Sequence, residues 1–405
     1  MVLKPELLAP AGNLEKLKIA FKYGADAVYV GGHVFGLRKY ADNFTLAQLQ
    51  RGLDYAQSRN KKVYLVLNGF AHQQDLASLI DYLKVLDTLP LSGLIISDMG
   101  VMQLAKHHTA IPIHVSTQAS VTNKYACQFF KEAGAKRIIL AREVSIDDAK
   151  AILKACDIEL ELFVHGAMCA SYSGKCIISN YSAGRDSNRG GCVQSCRHAY
   201  QLHDHNHHPL GQNHIMNAKD LNGLRLIPQL IQAGIHSLKI EGRMKSNLYV
   251  ANAVKAYREA IDYAFDQLSK NQDPDSRLLD TWYKELSTVS NRSFSTGGLE
   301  ARPRGESIEY HFDRYQKSVD FIGTVKAILA PQHIVVEIKT GFKKGDILEL
   351  IPEQGAPVLI PSETITSLEG TPLERCQPNT LIKLPFSGSA KQYDLIRRPL
   401  QPALN

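Results

Sequence analysis

Ser237-Leu-Lys-Ile-Glu241 is the last of eight short, mainly apolar segments that recur along the first 265 residues of the chain. The seven earlier segments have the same character and span residues 6–9, 27–30, 63–67, 94–96, 111–116, 137–141 and 160–164. Most of them are followed by residues whose apolar positions recur at helical spacing. This alternation predicts a TIM-like (β/α)8 barrel, with a doubly wound open sheet as the alternative. No Gly-x-Gly-x-x-Gly motif follows the first segment, which removes the main sign of a dinucleotide-binding sheet.

Polar residues stand directly after several of these segments. In a barrel, the loops that follow the strands form the active-site face, so such residues are candidates for function. We expect Arg142, Glu143 and His165 to take part in catalysis. For His165, a proton donor, a residue that supports the nearby cysteines and a packing residue are all open interpretations. The candidates for substrate binding in these loops are Arg38, Asn68 and Gln118.

The eighth segment carries three charged residues on one face, because alternate residues of a strand point the same way. These are Lys239, Glu241 and Arg243. Burying them unpaired would be costly. Either they neutralise one another inside the barrel, or they hold an anionic ligand, since lysine and arginine suit carboxylates and phosphates. We take Glu241 as a catalytic candidate and Lys239 and Arg243 as substrate-binding candidates.

Four of the seven cysteines fall within 28 residues, directly after the seventh segment: Cys169, Cys176, Cys192 and Cys196. Disulfides would need an oxidising compartment, and the N-terminal residues carry no export signal. Structural zinc also takes four thiolates, but only Cys192 and Cys196 have the usual ligand spacing. An iron–sulfur cluster takes four thiolates at looser spacings. The pattern leaves iron–sulfur, zinc and redox or inert thiols open, and it predicts a location on the active-site face.

The composition is that of a globular protein, with 44% hydrophobic and 21% charged residues. No apolar run approaches the ~20 residues that a helix needs to cross a bilayer. We therefore expect a cytoplasmic protein that does not engage a membrane. The net charge of +7 permits a polyanionic partner such as RNA without requiring one.

The pattern changes twice along the chain, which predicts three parts. The catalytic barrel is expected at residues 1–265, including a cysteine-rich segment at residues 166–217. A helical linker is expected at residues 266–312, and a small all-β barrel at residues 313–405. For this last module, a packing role and a nucleic-acid-binding role are both open.

The cysteine-rich segment resembles the signature of a known family. Glu161-x-Phe163-x-x-Gly166-Ala-Met-Cys169-x4-Gly174-x-Cys176-x-Ile178-Ser179 is similar to the signature of the U32 peptidase-like family at every defined position. Gly191-Cys192-x3-Cys196-Arg197 and Leu238-Lys-Ile-Glu-Gly-Arg243 resemble that family too, and the likeness covers nearly the whole chain. It implies an iron–sulfur cluster, expected as 4Fe–4S, whose ligands are Cys169, Cys176, Cys192 and Cys196. Zinc is the alternative metal.

Within the family, the chain looks most similar to the branch that acts on tRNA. This resemblance implies an enzyme that forms 5-hydroxyuridine at the wobble uridine of the tRNA anticodon region and needs prephenate as a co-substrate. Lys239 and Arg243 would bind the prephenate carboxylates, with Arg142 and Arg38 as further candidates. The alternatives are a collagenase-like U32 peptidase, a hydroxylase of another RNA or of a small molecule, and a non-catalytic tRNA-binding factor. Neither a His-Glu-x-x-His nor a Gly-x-Ser-x-Gly motif supports the peptidase.

Overall fold

The computed structural model describes residues 2–33, 43–312, 315–329 and 332–400. Arg38 lies outside these ranges, so its expected role in substrate binding stays a prediction. Eight parallel strands pair in a closed ring, because the last of them pairs with both the first and the seventh. They are β1 (Glu6–Pro10), β2 (Ala27–Gly31), β3 (Lys62–Leu67), β4 (Gly93–Ile96), β5 (Ile113–Val115), β6 (Ala135–Ile139), β7 (Glu159–Ala167) and β11 (Ser237–Ile240). The predicted (β/α)8 barrel is confirmed.

Helices separate the strands and cover the outside of the barrel. Each of the first two begins at a side-chain cap: Asn13 accepts a hydrogen bond from the backbone N–H of Lys16, and Thr45 forms a reciprocal capping pair with Gln48. The helices of this part of the chain are α1 (Leu14–Lys22), α2 (Leu46–Gln57), α3 (Leu76–Asp87), α4 (Met99–His108), α5 (Lys124–Glu132), α6 (Ile146–Ala155), α7 (Ile178–Ala183), α8 (Ile227–Gln232) and α9 (Asn247–Ser269).

A network of buried charges fills the barrel interior. Nη1 of Arg137 lies 2.6 Å from Oε1 of Glu6 and 3.3 Å from Oε2 of Glu161, and Nζ of Lys239 lies 3.0 Å from Oε1 of Glu161. Glu161 is completely buried, so its charge depends on these partners for compensation. Lys239 is therefore neutralised inside the barrel, but its partner Glu161 lies on β7 and is not one of the three charged residues that were expected to neutralise one another.

The chain leaves the regular alternation after β7. It forms α7, a hairpin of β8 (Tyr200–His203) and β9 (Pro209–Asn213), and β10 (Asp220–Asn222) before it returns to the barrel. β10 runs antiparallel to the end of β7, with Leu221 opposite Gly166. This pairing holds both ends of the cysteine-rich segment at the carboxyl ends of the strands, which is the predicted face.

Residues 266–312, expected to be a helical linker, pack against the barrel. α10 (Ser276–Leu286) lies on α9, where Nδ2 of Asn252 donates a hydrogen bond of 2.9 Å to the carbonyl of Glu285. β12 (Phe294–Ser295) extends the barrel sheet by pairing in parallel with β10. This segment consequently reaches the active-site face.

The C-terminal region is a half-barrel made of one antiparallel sheet with its own apolar core. Its strands are β13 (Val319–Leu329), β14 (His333–Ile338), β15 (Leu348–Ile351), β16 (Val358–Ile360), β17 (Leu381–Pro385) and β18 (Leu395–Pro399). The prediction of an all-β region is confirmed. The sheet docks on the barrel, where the Tyr23 hydroxyl donates a hydrogen bond of 2.7 Å to the carbonyl of Ile351. Across the described ranges, every helix is too short or too polar to span a membrane.

Candidate functional site

The cysteine-rich segment encloses a cavity of about 220 Å³ at the active-site face. We call it the cysteine cavity, because Cys169, Cys176, Cys192 and Cys196 all line it. All four are free thiols; Cys169 and Cys192 are exposed, and the other two are half-buried. The structure thus brings together the four cysteines that the sequence singled out.

Close backbone packing fixes one side of this cavity. Gly174 has a φ of +74°, and a Cβ there would lie 1.9 Å from the carbonyl oxygen of Gln118, so only glycine fits. The neighbouring backbone N–H of Ser173 donates a hydrogen bond of 2.9 Å to Oε1 of Glu143. Glu143, which was predicted to be catalytic, therefore forms a hydrogen bond with the loop that carries Cys169 and Cys176.

Arg197 ties the other side of the cavity together. Its guanidinium donates hydrogen bonds to Oδ1 of Asn217 at 2.9 Å and to the carbonyl of Ala218 at 2.5 Å, and another to the carbonyl of Met168. Burial lowers the pKa of Arg197, and the nearby Arg292 lowers it further. The residue next to Cys196 is thus anchored to the residue next to Cys169.

The charged side chains that line the cysteine cavity are all cationic. No carboxylate of the described residues lines the cavity. The four cationic side chains that line it are those of Arg142, Arg197, Lys245 and Arg292. Asp220 compensates one of them, because it forms an ion pair with the guanidinium of Arg292 and accepts its backbone N–H at 3.0 Å. In the described part of the chain, Lys245 and Arg197 form no ion pair with a carboxylate; Nζ of Lys245 donates to the carbonyl of Ser290 at 3.3 Å. The cavity therefore suits an anionic occupant.

The thiols fit an iron–sulfur cluster in donor chemistry and location. Desolvation by the surrounding protein raises the pKa of Cys169 and of Cys196, whereas Arg142 lowers the pKa of Cys169 and Arg197 lowers that of Cys196. In the parts of the chain that the structure describes, no three His, Cys, Asp or Glu side chains converge closely enough to hold a metal ion. The four cysteines share one cation-lined cavity, so binding a cluster would require their side chains or loops to rearrange.

A second pocket of about 80 Å³ opens at the mouth of the barrel, and we call it the barrel-mouth pocket. It brings together six predicted site residues: Asn68, Gln118, Arg142, Lys239, Glu241 and Arg243. Gln118 and Arg142 also line the cysteine cavity, so they form a wall shared by the two spaces. The predicted substrate-binding residues and the predicted metal ligands are thus neighbours.

The charged groups at the barrel mouth are held by short-range contacts. The guanidinium of Arg142 lies over the ring of Phe163, 4.2 Å from its centroid, and its Nη2 is 3.9 Å from Oε2 of Glu241. That oxygen accepts a hydrogen bond of 3.4 Å from the Tyr29 hydroxyl. Arg243 is buried, and its backbone carbonyl accepts a hydrogen bond of 3.4 Å from Nζ of Lys16. Arg142 and Arg243 therefore present two guanidinium groups to one pocket.

His165 lies away from both spaces. Its ring is surrounded by those of Tyr249, Tyr257 and Phe294, at centroid distances of 5.7, 5.4 and 5.7 Å. Burial lowers the pKa of His165 to about 4, which keeps the imidazole neutral at neutral pH. Of the three interpretations left open by the sequence, this position agrees with packing beneath the site.

Sequence reasoning missed four residues that line the cysteine cavity: Tyr172, Lys245, Arg292 and Tyr315. Lys245 follows Arg243 by only two residues, and this short distance is the one local sign that could have suggested it. Arg292 lies in the segment expected to be a linker, and it reaches the cavity because β12 joins the sheet next to β10.

The comparison with known proteins agrees with this architecture. The sequence matches peptidase family U32 over residues 12–309 and the peptidase family U32 C-terminal domain over residues 317–397. It is 38% identical to tRNA hydroxylation protein P1 of Bacillus subtilis over 410 residues, which cover 98% of this chain and 95% of that protein.

Two further relatives carry different names. A 23S rRNA 5-hydroxycytidine synthase of Escherichia coli is 36% identical over 263 residues, which cover 65% of this chain and 40% of that protein. A collagenase of Porphyromonas gingivalis is 31% identical over 316 residues, which cover 74% of this chain and 75% of that protein. Both family matches and the near full-length likeness agree with the cysteine signature, and the chain belongs to peptidase family U32.

Proposed function

We propose that this protein is an RNA-modifying enzyme that hydroxylates the wobble uridine of tRNA to 5-hydroxyuridine. The observation that carries the proposal is a cation-lined cavity with four free thiols that shares a wall with a second, arginine-containing pocket. The relatives named for tRNA hydroxylation and for rRNA 5-hydroxycytidine synthesis support the choice of RNA as substrate.

Cys169, Cys176, Cys192 and Cys196 would hold a 4Fe–4S cluster. When bound, the cluster would supply electron-transfer or redox chemistry at the active-site face. Its thiolate ligands and core carry net negative charge, and the guanidinium of Arg197, which stands next to Cys196, would stabilise that charge. Zinc is the alternative occupant, because it also accepts four thiolates.

The barrel-mouth pocket would bind prephenate. This small molecule carries two carboxylates, and the pocket offers the guanidinium groups of Arg142 and Arg243. An arginine can hold a carboxylate through two parallel hydrogen bonds. Lys239 is the weaker candidate, because its charge is paired with Glu161 at 3.0 Å. Gln118 and Arg142 would orient prephenate toward the cysteine cavity, since they line both spaces.

A peptidase is the second candidate, and the collagenase relative is the observation in its favour. A cysteine nucleophile needs a neighbouring base to form its thiolate. No histidine or carboxylate of the described residues lines the cysteine cavity, and His165 lies in an aromatic enclosure. The hydroxylase agrees better with this arrangement.

The experiment is a nucleoside analysis by mass spectrometry. Total tRNA and ribosomal RNA are isolated from a bacterial strain that lacks 5-hydroxyuridine, with and without a plasmid that expresses this chain. We expect 5-hydroxyuridine to appear in the tRNA. If 5-hydroxyuridine appears only in ribosomal RNA, the substrate is another RNA. If no RNA is modified, a digestion assay with collagen and the purified protein follows, and proteolysis there would favour the peptidase.

A further inference from the structure

Large aromatic side chains remain exposed around the opening of the cysteine cavity. Tyr172 is 66% exposed and Tyr315 is 44% exposed, and both line the cavity. Tyr181 is 84% exposed on α7, the helix whose residues Ile178 and Ser179 also line the cavity. We call Tyr172, Tyr181 and Tyr315 the tyrosine rim.

The rim differs from scattered exposed apolar residues, which are common on protein surfaces. Tyr172 and Tyr315 line a cavity that four cations and, within the described ranges, no carboxylate also line, and Tyr181 lies on the helix next to it. Nζ of Lys245 lies 5.3 Å from the ring centroid of Tyr315, so a cation and an aromatic face stand side by side. This combination is the one that proteins use for single-stranded nucleic acid, where bases stack on aromatic rings and cations contact phosphates.

We propose that the tyrosine rim is the stacking surface for unpaired nucleotides of the RNA substrate, and that Lys245 contacts a phosphate next to the nucleotide held at the opening of the cavity. This inference rests on the proposed RNA-modifying function and names the part of the molecule that holds the RNA. The cysteine-rich segment then has two tasks, since it carries both the thiols and two of the three rim tyrosines.

The ring of Tyr172 is exposed enough for a base to stack on it. The backbone carbonyl of Tyr172 accepts a hydrogen bond of 3.0 Å from the N–H of Lys175. Its side-chain ring is exposed, so the ring can be removed without leaving a cavity in the core. Tyr125 is a matched control, because it is 76% exposed on α5, has Lys124 at 5.1 Å from its ring centroid and does not line the cavity. Both tyrosines therefore have high exposure, and only Tyr172 faces the proposed RNA path.

The test is fluorescence anisotropy with the full-length protein and a labelled anticodon stem-loop RNA that carries an unmodified wobble uridine. Tyr172→Ala and Tyr315→Ala should each raise the Kd about tenfold, because a base stacked on an aromatic ring is lost. Tyr172→Phe should keep the affinity, since the ring is retained. Tyr125→Ala should bind like the unchanged protein.

Lys245 is tested by the salt dependence of the same binding. Lys245→Gln should reduce the slope of log K against log salt by about 0.7, which is the contribution of one phosphate contact with a single strand. Equal Kd values for Tyr172→Ala, Tyr315→Ala and Tyr125→Ala, together with an unchanged slope for Lys245→Gln, would overturn the inference and leave the proposed function standing. If the unchanged protein bound no RNA, the inference and the proposed function would both fail.

Discussion

Gly31 and Arg243 are in direct competition for space at the mouth of the barrel: a Cβ on Gly31 would lie 1.9 Å from Nη1 of Arg243. Gly31 is the last residue of β2, and Arg243 follows β11, so the two meet across β1, which pairs with both strands. The missing side chain on one strand therefore sets the position of the guanidinium that follows another.

Gly31→Ala should displace the guanidinium of Arg243, and both Gly31→Ala and Arg243→Ala should weaken prephenate binding. A charged hydrogen bond contributes about 1.5–3 kcal/mol, so the Kd measured by calorimetry should rise at least about tenfold. Gly305→Ala is the control, because the nearest atom to its added Cβ is a side-chain oxygen at 3.4 Å. Iron content should stay unchanged in all three variants. If Gly31→Ala and Arg243→Ala bound prephenate as tightly as the unchanged protein, Arg243 would not take part in binding this ligand.

Cys169→Ala and Cys176→Ala should lose the cluster, because each removes one thiolate ligand. The measurement is iron and acid-labile sulfide per chain after anaerobic purification, and about four of each are expected in the unchanged protein. Cys376→Ala is the matched control, since this thiol is buried in the core of the C-terminal half-barrel. Zinc without sulfide in the unchanged protein would assign the four cysteines to a structural site.

Gly174→Ala should reduce iron content although every cysteine remains. The added Cβ would meet the carbonyl oxygen of Gln118 at 1.9 Å, so the loop between Cys169 and Cys176 has to move. Gly184→Ala is the control for backbone strain. Gly184 also has a positive φ, of +61°, but no atom lies within 4 Å of its added Cβ, so this variant is strained without a clash. Equal iron content in the two variants would show that the position of this loop is unimportant for the cluster.

Glu6 should make the stability of the barrel depend on pH. Burial acts to raise the pKa of Glu6, but Arg137 and Lys62 outweigh it and lower the value to about 2, from 4.5 in an unperturbed glutamate. The native state thus binds fewer protons than the unfolded state, so this contribution is fully present above pH 4.5 and is lost as the pH falls from 4.5 toward 2. The difference corresponds to about 3 kcal/mol of unfolding free energy at neutral pH.

Denaturant unfolding at pH 7, 4 and 3 measures this dependence, because the last two values lie inside the range in which the contribution is lost. Glu6→Gln should be less stable at pH 7 and should lose less stability than the unchanged protein on acidification. Glu132→Gln, at an exposed position on α5, should follow the unchanged protein at every pH. If Glu6→Gln kept the full acid dependence, other carboxyl groups would have to account for it.

The barrel was predictable because each of its strands is a local apolar segment, and the cysteines were predictable as a group because they are close in sequence. The ion pair of Lys239 could not be predicted, because its partner Glu161 lies on β7, 78 positions earlier in the chain. Alternation along one strand grouped Lys239 with Glu241 and Arg243, but it carries no information about the charges on neighbouring strands.

Long-range folding also explains the residues that sequence reasoning missed. Arg292 comes from a segment without a clear apolar period, and the pairing of β12 with β10 carries that segment to the active-site face. Tyr315 comes from the region expected to be all-β, and two backbone hydrogen bonds between its neighbour Gln316 and Asn291 hold it there. His165 illustrates the opposite case: its place directly before the cysteine-rich loop suggested function, whereas its neighbours Tyr249 and Phe294 are distant in sequence and enclose its ring.

The most direct test of the central claim is the amount of 5-hydroxyuridine in tRNA from a strain that lacks this nucleoside, after it receives the unchanged chain or its Cys169→Ala variant. We predict that the unchanged chain restores 5-hydroxyuridine, that Cys169→Ala does not although it is expressed to the same level, and that Cys376→Ala does. An absence of 5-hydroxyuridine with the unchanged chain, purified with its cluster intact from the same cells, would contradict the account.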